Sequence, residues 1–303
     1  MRTEIDFQQL EQFVAVARAR NFTRAASELN ISQSALSRSI QKLEVQVGRP
    51  LFERKPREVV LTDLGELLLE RAKEILKMVE DTFSLISEAS RHGRIRLGAI
   101  PTIAPYYLPS LLRTFSGLHP DISIIVQEDT TENLLKRCNY GEIDLAILAL
   151  PVIAEHLEVT ALFDEELFLV VPAGHALVDC DEITPEAVEE YPFVTLNEAH
   201  CLTDNIASYC RQQSVQPVTV DRISQLTTVQ ELVALGHGVS IIPEMARRLD
   251  SDERRVYRSF DGEKPMRTIC MVWNPYRYQS KWIKELMNHL RHPGPTKGRP
   301  QGS

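Results

Sequence analysis

Cys201 and Cys210 stand nine residues apart in the segment HCLTDNIASYC, with His200 just before the first and Asp204 three residues after it. Asp204 suits a helix N-cap, so the segment predicts a helix over residues 204–212 with Cys201 just ahead of its N-terminus. The partial positive charge of a helix N-terminus lowers a thiol pKa, and His200 is a second cation at the same place. A thiolate is the nucleophilic and oxidisable form of cysteine, so the chemistry this pattern suits is thiol redox chemistry. Nine helical residues span about 13.5 Å, whereas a disulfide tolerates Cα atoms only about 4.4 to 6.8 Å apart. The two thiols can therefore bond only if the helix unwinds, which would turn oxidation into a change of shape. The alternative is that both serve as small apolar packing residues, and that is the reading for Cys138, Cys180 and Cys270. None of the five cysteines forms a CxxC pair, no His/Cys cluster has zinc-ligand spacing, and the eight histidines form no catalytic array. No metal and no cofactor are expected.

The elements that position these residues belong to a chain of 303 residues with 25% charged residues, long enough for two or three domains that each bury a core. No apolar run reaches the roughly 20 residues of a membrane span. The N-terminal MRTEIDFQQLEQF lacks the basic and then apolar order of a secretory signal. A cytoplasmic setting follows, in which cysteines stay reduced unless they are reactive. The net charge of −8 argues against indiscriminate nucleic-acid binding, but it is unevenly spread. Residues 1–60 hold ten Lys and Arg against seven Asp and Glu, a net +3, so the remainder carries −11. A weakly basic module on an acidic body suits DNA binding with the body held off the phosphates.

Within that basic module, FTRAASELNISQSALSRSIQKLEVQV, residues 22–47, reads as two short helices joined by a tight turn. Thr23 is the expected N-cap of the first, Ala25, Ala26 and Leu29 form its small apolar face, and Asn30 ends it. Ser32 caps the second, in which Ala35, Leu36, Ile40, Leu43 and Val47 recur at helical spacing. Gln33, Ser34, Ser37, Arg38 and Lys42 fall on its other faces, and these are types that hydrogen-bond base edges and phosphates. A first helix from Asp6 to Arg20, with Leu10, Phe13, Val14 and Ala17 inward, would roof the pair. After Gly48, the runs LFER and EVVLT flank a basic turn and read as a two-stranded wing whose Arg54, Lys55 and Arg57 meet the phosphate backbone. An ordinary surface helix is the alternative for the recognition stretch taken alone.

Thr62 opens a long helix to about Ser90, in which Leu64, Leu68, Ala72, Ile75, Val79, Phe83 and Ile86 recur every three or four residues, near the coiled-coil period. A helix of about 28 residues is some 42 Å long, so burial against a second copy is expected, with a solvent-bridging linker as the alternative. From His92-Gly93 on, short apolar runs (RIRLGAI, ISIIVQ, DLAILAL, LFLVVPA, PFVTLN, VTVDRIS, VSIIP, RTICMVW) alternate with helical segments. Runs apolar on both faces fit buried strands of an α/β body. Two subdomains with crossovers near 162–166 and 264–268 would leave a cleft at the strand ends, where such sheets bind ligands. The partition is 1–61 for the winged helix-turn-helix, 62–92 for the linker helix and 93–295 for the body. Within the body, subdomain I takes 93–163 and 268–292 and subdomain II 164–267. Residues 296–303 form a disordered Pro/Gly tail.

The order of winged helix-turn-helix, linker helix and two-lobed α/β body resembles the LysR-type transcriptional regulators, with FTRAASELNISQSALSRSIQKLEVQVGRPLFER, TDLGELLLERA and LGHGVSIIP carrying the likeness. The resemblance implies a periplasmic-binding-protein-like effector domain and homodimers through the linker helix. It further implies homotetramers through the bodies, double-stranded promoter DNA as partner, and RNA polymerase as a second partner. HCLTDNIASYC, IPTIAPYYLP around Thr102 and EDTTENLL around Thr131 are similar to segments of the peroxide-sensing members of that family. That narrower resemblance implies that hydrogen peroxide is the effector, that it oxidises Cys201, and that Cys210 captures the product as a disulfide. Thr102, Thr131, His200 and Asp204 would line the peroxide pocket, the two threonine hydroxyls as hydrogen-bond groups. Thr203 departs from the pattern, because those members commonly carry Arg there. Two alternatives remain open: a regulator whose cleft binds a small metabolite, with the cysteines incidental, and a thiol peroxidase acting through Cys201. The second leaves the DNA-binding module without a purpose.

Overall fold

The structure is a computed structural model that describes residues 5–54, 59–86, 93–197, 201–216 and 218–292. Lys55, Arg57, His200, the linker beyond residue 86 and the tail at 296–303 lie outside the described residues. The chain divides into two compact units, Met1–Ala89 and Ser90–Ser303.

The first unit comprises α1 (Phe7–Ala19), α2 (Phe22–Glu28), α3 (Gln33–Val47), the wing strands β1 (Phe52–Arg54) and β2 (Val59–Leu61), and α4 (Asp63–Ile86). Asp6 and Gln9 form a reciprocal capping box that starts α1. Its inward face carries Leu10, Phe13, Val16 and Ala19, so the buried stripe is rotated from the expected one and Val14 and Ala17 are only half-buried. Asn21, not Thr23, caps α2, its side chain accepting from the Arg24 amide; the cap lies two residues earlier than expected and Asn is the stronger cap. Asn30 turns the chain in the left-handed region at φ 55°, and Ser32 caps α3 as expected. Leu36, Ile40 and Leu43 of α3 are fully buried against Phe13, Val16 and Ala25. Glu44 Oε1 accepts from the Leu51 and Phe52 amides at 2.8 and 3.3 Å, tying the wing to the end of α3. The wing strands pair antiparallel from Phe52 opposite Leu61 to Arg54 opposite Val59.

Thr62 starts the linker helix by accepting from the Gly65 amide at 3.0 Å. The seam expected along α4 is split. Leu64, Leu68 and Ala72 pack against the core of their own unit, whereas Ile75, Met78 and Phe83 are exposed. No described helix is long and apolar enough to cross a membrane.

The second unit contains β3 (Gly93–Ala99), α5 (Ala104–Leu118), β4 (Ile122–Glu128), α6 (Thr131–Asn139), β5 (Leu145–Ala149) and β6 (Glu158–Pro172). It continues through α7 (Pro185–Glu189), β7 (Phe193–Leu196), α8 (Cys201–Gln212), β8 (Thr219–Ile223), α9 (Leu226–Ala234) and β9 (Ser240–Pro243). It ends with α10 (Glu244–Leu249), β10 (Arg255–Arg258), β11 (Met266–Trp273) and α11 (Lys281–Arg291). β3 pairs in parallel with β4 and β5, as the apolar runs predict, but β11 is antiparallel to both β5 and β6. The 15-residue β6 was only half expected, because its first half alternates too weakly to read as a strand. Its residues Glu158–Glu166 pair with β11, and Leu167–Pro172 pair with β9 and β10. β6 changes partner between Glu166 and Leu167, and β11 starts at Met266. Two hydrophobic cores lie on either side of this junction, one around Leu97, Leu145, Ile147 and Met271, the other around Leu169, Val194, Val229 and Ile241.

Gly65 in the first turn of α4 is a close approach: a Cβ there would run into the Leu51 carbonyl that also accepts from Thr62 N. Gly65→Ala should therefore destabilise the first unit by about 1 to 3 kcal/mol, the usual cost of overpacking. Thermal unfolding followed by circular dichroism measures it; an unchanged midpoint would mean that the α4 start gives way without cost.

Candidate functional site

Helix α8 carries both thiols, and it carries them into different cores. Cys201 is its first residue, so the helix starts three residues before the expected Asp204 cap; Asp204 is exposed in the first turn. At 100° per residue, nine positions place Cys210 on the face opposite Cys201. Cys201 packs against the core around Leu97 and Leu145, and Cys210 is buried at 7% exposure in the core around Val194 and Ile241. All five cysteines are free thiols.

Around Cys201 the structure gathers groups from both subdomains. Thr102, 1% exposed in the turn before α5, accepts at Oγ1 from Arg267 Nη1 at 2.9 Å, and its carbonyl accepts from Nη2 at 3.1 Å. The Thr131 hydroxyl, on the first residue of α6, is buried and makes no fully formed hydrogen bond; its effect falls on the Cys201 thiol. Arg267 is the largest fully buried side chain among the described residues, and its Nε donates to Glu165 Oε1 at 2.6 Å. Glu165 Oε2 in turn accepts from the Met245 amide at 3.1 Å. Asn205, one turn after Cys201, donates to the Leu150 carbonyl at 2.9 Å, so α8 of one subdomain is hydrogen-bonded to the end of β5 in the other. Thr203 Oγ1 donates to the carbonyls of Leu196 and Asn197, which fixes the helix start to the end of β7.

Sequence reasoning missed Arg267 and Glu165. Both sit at the crossovers, where charged residues read as ordinary solvent-exposed hinge residues; a charge immediately bounding the apolar run TICMVW was the one available signal. It also took Cys201 to be a low-pKa thiol, and the structure corrects this. Burial pushes the Cys201 thiol up, and the Arg267 charge, the Thr131 hydroxyl and the helix-start amide pull it down by less, while Asp204 adds to the rise. Cys138 and Cys270 are pushed up to about 12 by burial, which makes them inert packing thiols as expected. Burial also raises the Cys210 thiol. Among the described residues no group of His, Cys, Asp or Glu can hold a metal.

On α3, Gln33, Ser34, Arg38 and Lys42 are exposed and Ser37 is half-buried, a polar face opposite the buried Leu36, Ile40 and Leu43. Arg38 Nε donates to the Ser34 carbonyl at 3.3 Å. The backbone of Arg54 ends β1; nothing is described of its side chain.

Residues 7–66 match the family described as "Bacterial regulatory helix-turn-helix protein, lysR family", and residues 88–293 match "LysR substrate binding domain". The chain belongs to the LysR family. It is 33% identical over 295 residues to a "Probable hydrogen peroxide-inducible genes activator" of Mycobacterium leprae (strain TN), covering 93% of this chain and 94% of the relative. It is 30% identical over 276 residues to the "DNA-binding transcriptional dual regulator OxyR" of Escherichia coli (strain K12), covering 89% and 90%. A full-length OxyR variant from Pseudomonas aeruginosa superposes with a TM-score of 0.79 at 28% identity over 95% of each chain. An H2O2-bound cysteine-to-serine mutant of Corynebacterium glutamicum OxyR does so with 0.64 at 32% identity over 95% of this chain and 92% of that one. The LysR assignment makes the protein a DNA-binding transcription regulator homologous to OxyR.

The raised pKa fixes a pH dependence. The thiolate is the minor form at neutral pH and grows about tenfold per pH unit below the pKa. Oxidation of Cys201 by peroxide should therefore accelerate about tenfold per unit between pH 6 and 8. Arg267→Gln, made together with Glu165→Gln so that no buried carboxylate is left unpaired, should slow it across that range. Stopped-flow rates at fixed peroxide measure both, and a flat profile would mean that the thiolate already dominates at pH 6.

Proposed function

We propose that the protein is a peroxide-responsive transcription regulator of the cytoplasm and that its response is a change of covalent state, with no catalytic turnover. Peroxide oxidises Cys201 to a sulfenic acid with release of water; Cys210 then attacks that sulfur, a second water leaves, and a disulfide forms. The observation that carries this reading is the placement of the two thiols on one intact helix with their side chains in opposite cores. Closing that bond costs α8 its fold and breaks the Asn205 hydrogen bond between subdomains. Thr131 acts on the thiol directly and Thr102 holds the Arg267 whose charge is felt there, and the unsatisfied Thr131 hydroxyl suits a peroxide oxygen. By the resemblance, Asp204 and His200 are proposed to take part in binding peroxide. The names and bound peroxide of the OxyR relatives agree with this reading.

DNA is met by α3, with Gln33, Ser34, Ser37 and Arg38 at base edges and Lys42, Arg54, Lys55 and Arg57 at phosphates. The exposed Ile75, Met78 and Phe83 of α4 join two copies into a dimer, and the bodies join dimers into a tetramer. Refolding around α8 alters contacts between bodies, hence the spacing of the DNA-binding pairs and the contact with RNA polymerase.

Arg38→Ala should cost about 1 to 3 kcal/mol of discrimination between operator and random duplex, the value of one bidentate base contact. Gel-shift titrations with both duplexes test it, and equal losses on the two would demote Arg38 to a phosphate contact. For the switch, peptide mass spectrometry after brief peroxide treatment should find Cys201 linked to Cys210. Cys210→Ser should leave a dimedone-reactive Cys201, and Cys201→Ser should remove the response. Oxidation of Cys180 or Cys138 with Cys201 untouched would sink the sensor reading.

A further inference from the structure

The face of α8 that turns away from Cys201 lies along a cavity of about 210 Å³, open to solvent on one side. Thr203, Ile206, Ala207, Cys210 and Arg211 line it from the helix, at spacings of three, one, three and one that make a single stripe. Phe193, Thr195, Val215, Gln216 and Thr219 complete the lining. Protein interiors hold few voids larger than a water molecule, and an apolar cavity of about 150 Å³ is enough to take up benzene. A mostly apolar space larger than that is a ligand-sized site.

Its shape and its mouth narrow the ligand. The stripe runs eight residues along the helix, about 12 Å, which suits an unbranched chain better than a ring. Arg211 is exposed at one end, donates to Ser208 Oγ at 2.9 Å and has no acidic partner among the described residues. Glu189 lies near the same end, its Oε1 accepting from the Gln216 amide at 2.9 Å, and its charge is felt at Cys210 together with that of Arg211. One cation and one anion at the mouth offset each other, which favours an uncharged hydroxyl head over a carboxylate.

We propose that this cavity binds a small unbranched amphipath of the medium-chain alcohol class, and that its occupancy holds α8 folded and opposes the Cys201–Cys210 disulfide. The regulatory half rests on the switch proposed above; the binding half does not. Half of the lining comes from α8, so unwinding the helix destroys the site and the ligand binds only the reduced form. A ligand of that kind shifts the equilibrium by the factor 1 + [L]/Kd, about elevenfold at ten times Kd.

The test uses the full-length reduced protein and octan-1-ol as probe. Isothermal titration should give saturable binding of one molecule per chain. Ala207→Leu, which fills the stripe, should abolish it, and Ala207→Val should weaken it with the fold checked by thermal unfolding; should the Leu variant fail to fold, the Val variant decides. No saturable binding to the parent, or equal binding in the variants, overturns the site. Octanoate binding more tightly than octan-1-ol overturns the uncharged head. In glutathione buffers of graded poise, octan-1-ol at ten times its Kd should move the thiol–disulfide equilibrium about elevenfold toward thiols. Binding without that shift overturns the regulatory half. If no disulfide forms at any poise, the switch and the regulatory half fall together, and the titration still decides the site.

Discussion

A disulfide requires Cα atoms about 4.4 to 6.8 Å apart, and nine residues of intact helix hold Cys201 and Cys210 about 13.5 Å apart along the axis. An intact helix α8 and a bond between its two thiols therefore exclude each other. Leu202, Ile206 and Tyr209 anchor α8 in one core, while Cys201 reaches the other. Bringing the two sulfurs together would give up the first set of contacts and release the Cys210 thiol. The proposed switch needs a helix whose packing is good enough to hold the reduced state and poor enough to be given up. Along the Thr203–Arg211 stripe the helix faces a solvent-open pocket rather than a packed neighbour.

The second constraint is the charge buried at the junction of the subdomains. Removing Arg267 and Glu165 from water is costly, and the pair persists because every available group is used: Thr102 twice, Glu165 through both oxygens, and the Met245 amide. Arg267 enters from β11, Glu165 from β6 and Thr102 from the turn before α5, so the ion pair fixes the seam at the point where the chain crosses between subdomains. The same cation tempers the Cys201 thiol without reversing the effect of burial. The reduced protein thus keeps a mainly protonated thiol beside a fixed positive charge, and that charge favours any anionic sulfur that forms there.

The arrangement of domains was legible because it rests on local signals. Ser32, Asn30 and the spacing of Leu36, Ile40 and Leu43 mark the recognition helix with neighbours three or four residues away, and the apolar runs mark β3, β4, β5 and β11 in the same manner. The site was legible only in part. Cys201, Thr102 and Thr131 stood out by type and resemblance, but Arg267 and Glu165 are separated by about 100 residues of chain and become partners only through the pairing of β6 with β11. The thiol pKa was misjudged for a related reason. A helix start is visible in the sequence, whereas desolvation depends on what the tertiary fold places over it, and here the second effect is larger.

The linker helix shows the same interplay of local and non-local demands. A strict repeat from Leu64 to Ile86 reads as one seam for one partner, yet its first half is claimed by the core of its own unit, through Leu64, Leu68, Leu69 and Leu76 around a fully buried Ala72. What the described part of α4 leaves exposed is Leu67, Ile75, Met78 and Phe83, at 55%, 41%, 64% and 67% exposure. About four apolar side chains per copy, each worth about 1.5 to 3 kcal/mol when fully buried, would have to offset the cost of association, which is itself several kcal/mol or more. In the proposed assembly, pairing through α4 would thus be favourable by a modest margin, and contacts between bodies would supply the rest. A refolded α8 would act on those contacts, since a change of one or two kcal/mol there is a large part of what would hold the DNA-binding pairs at a given spacing.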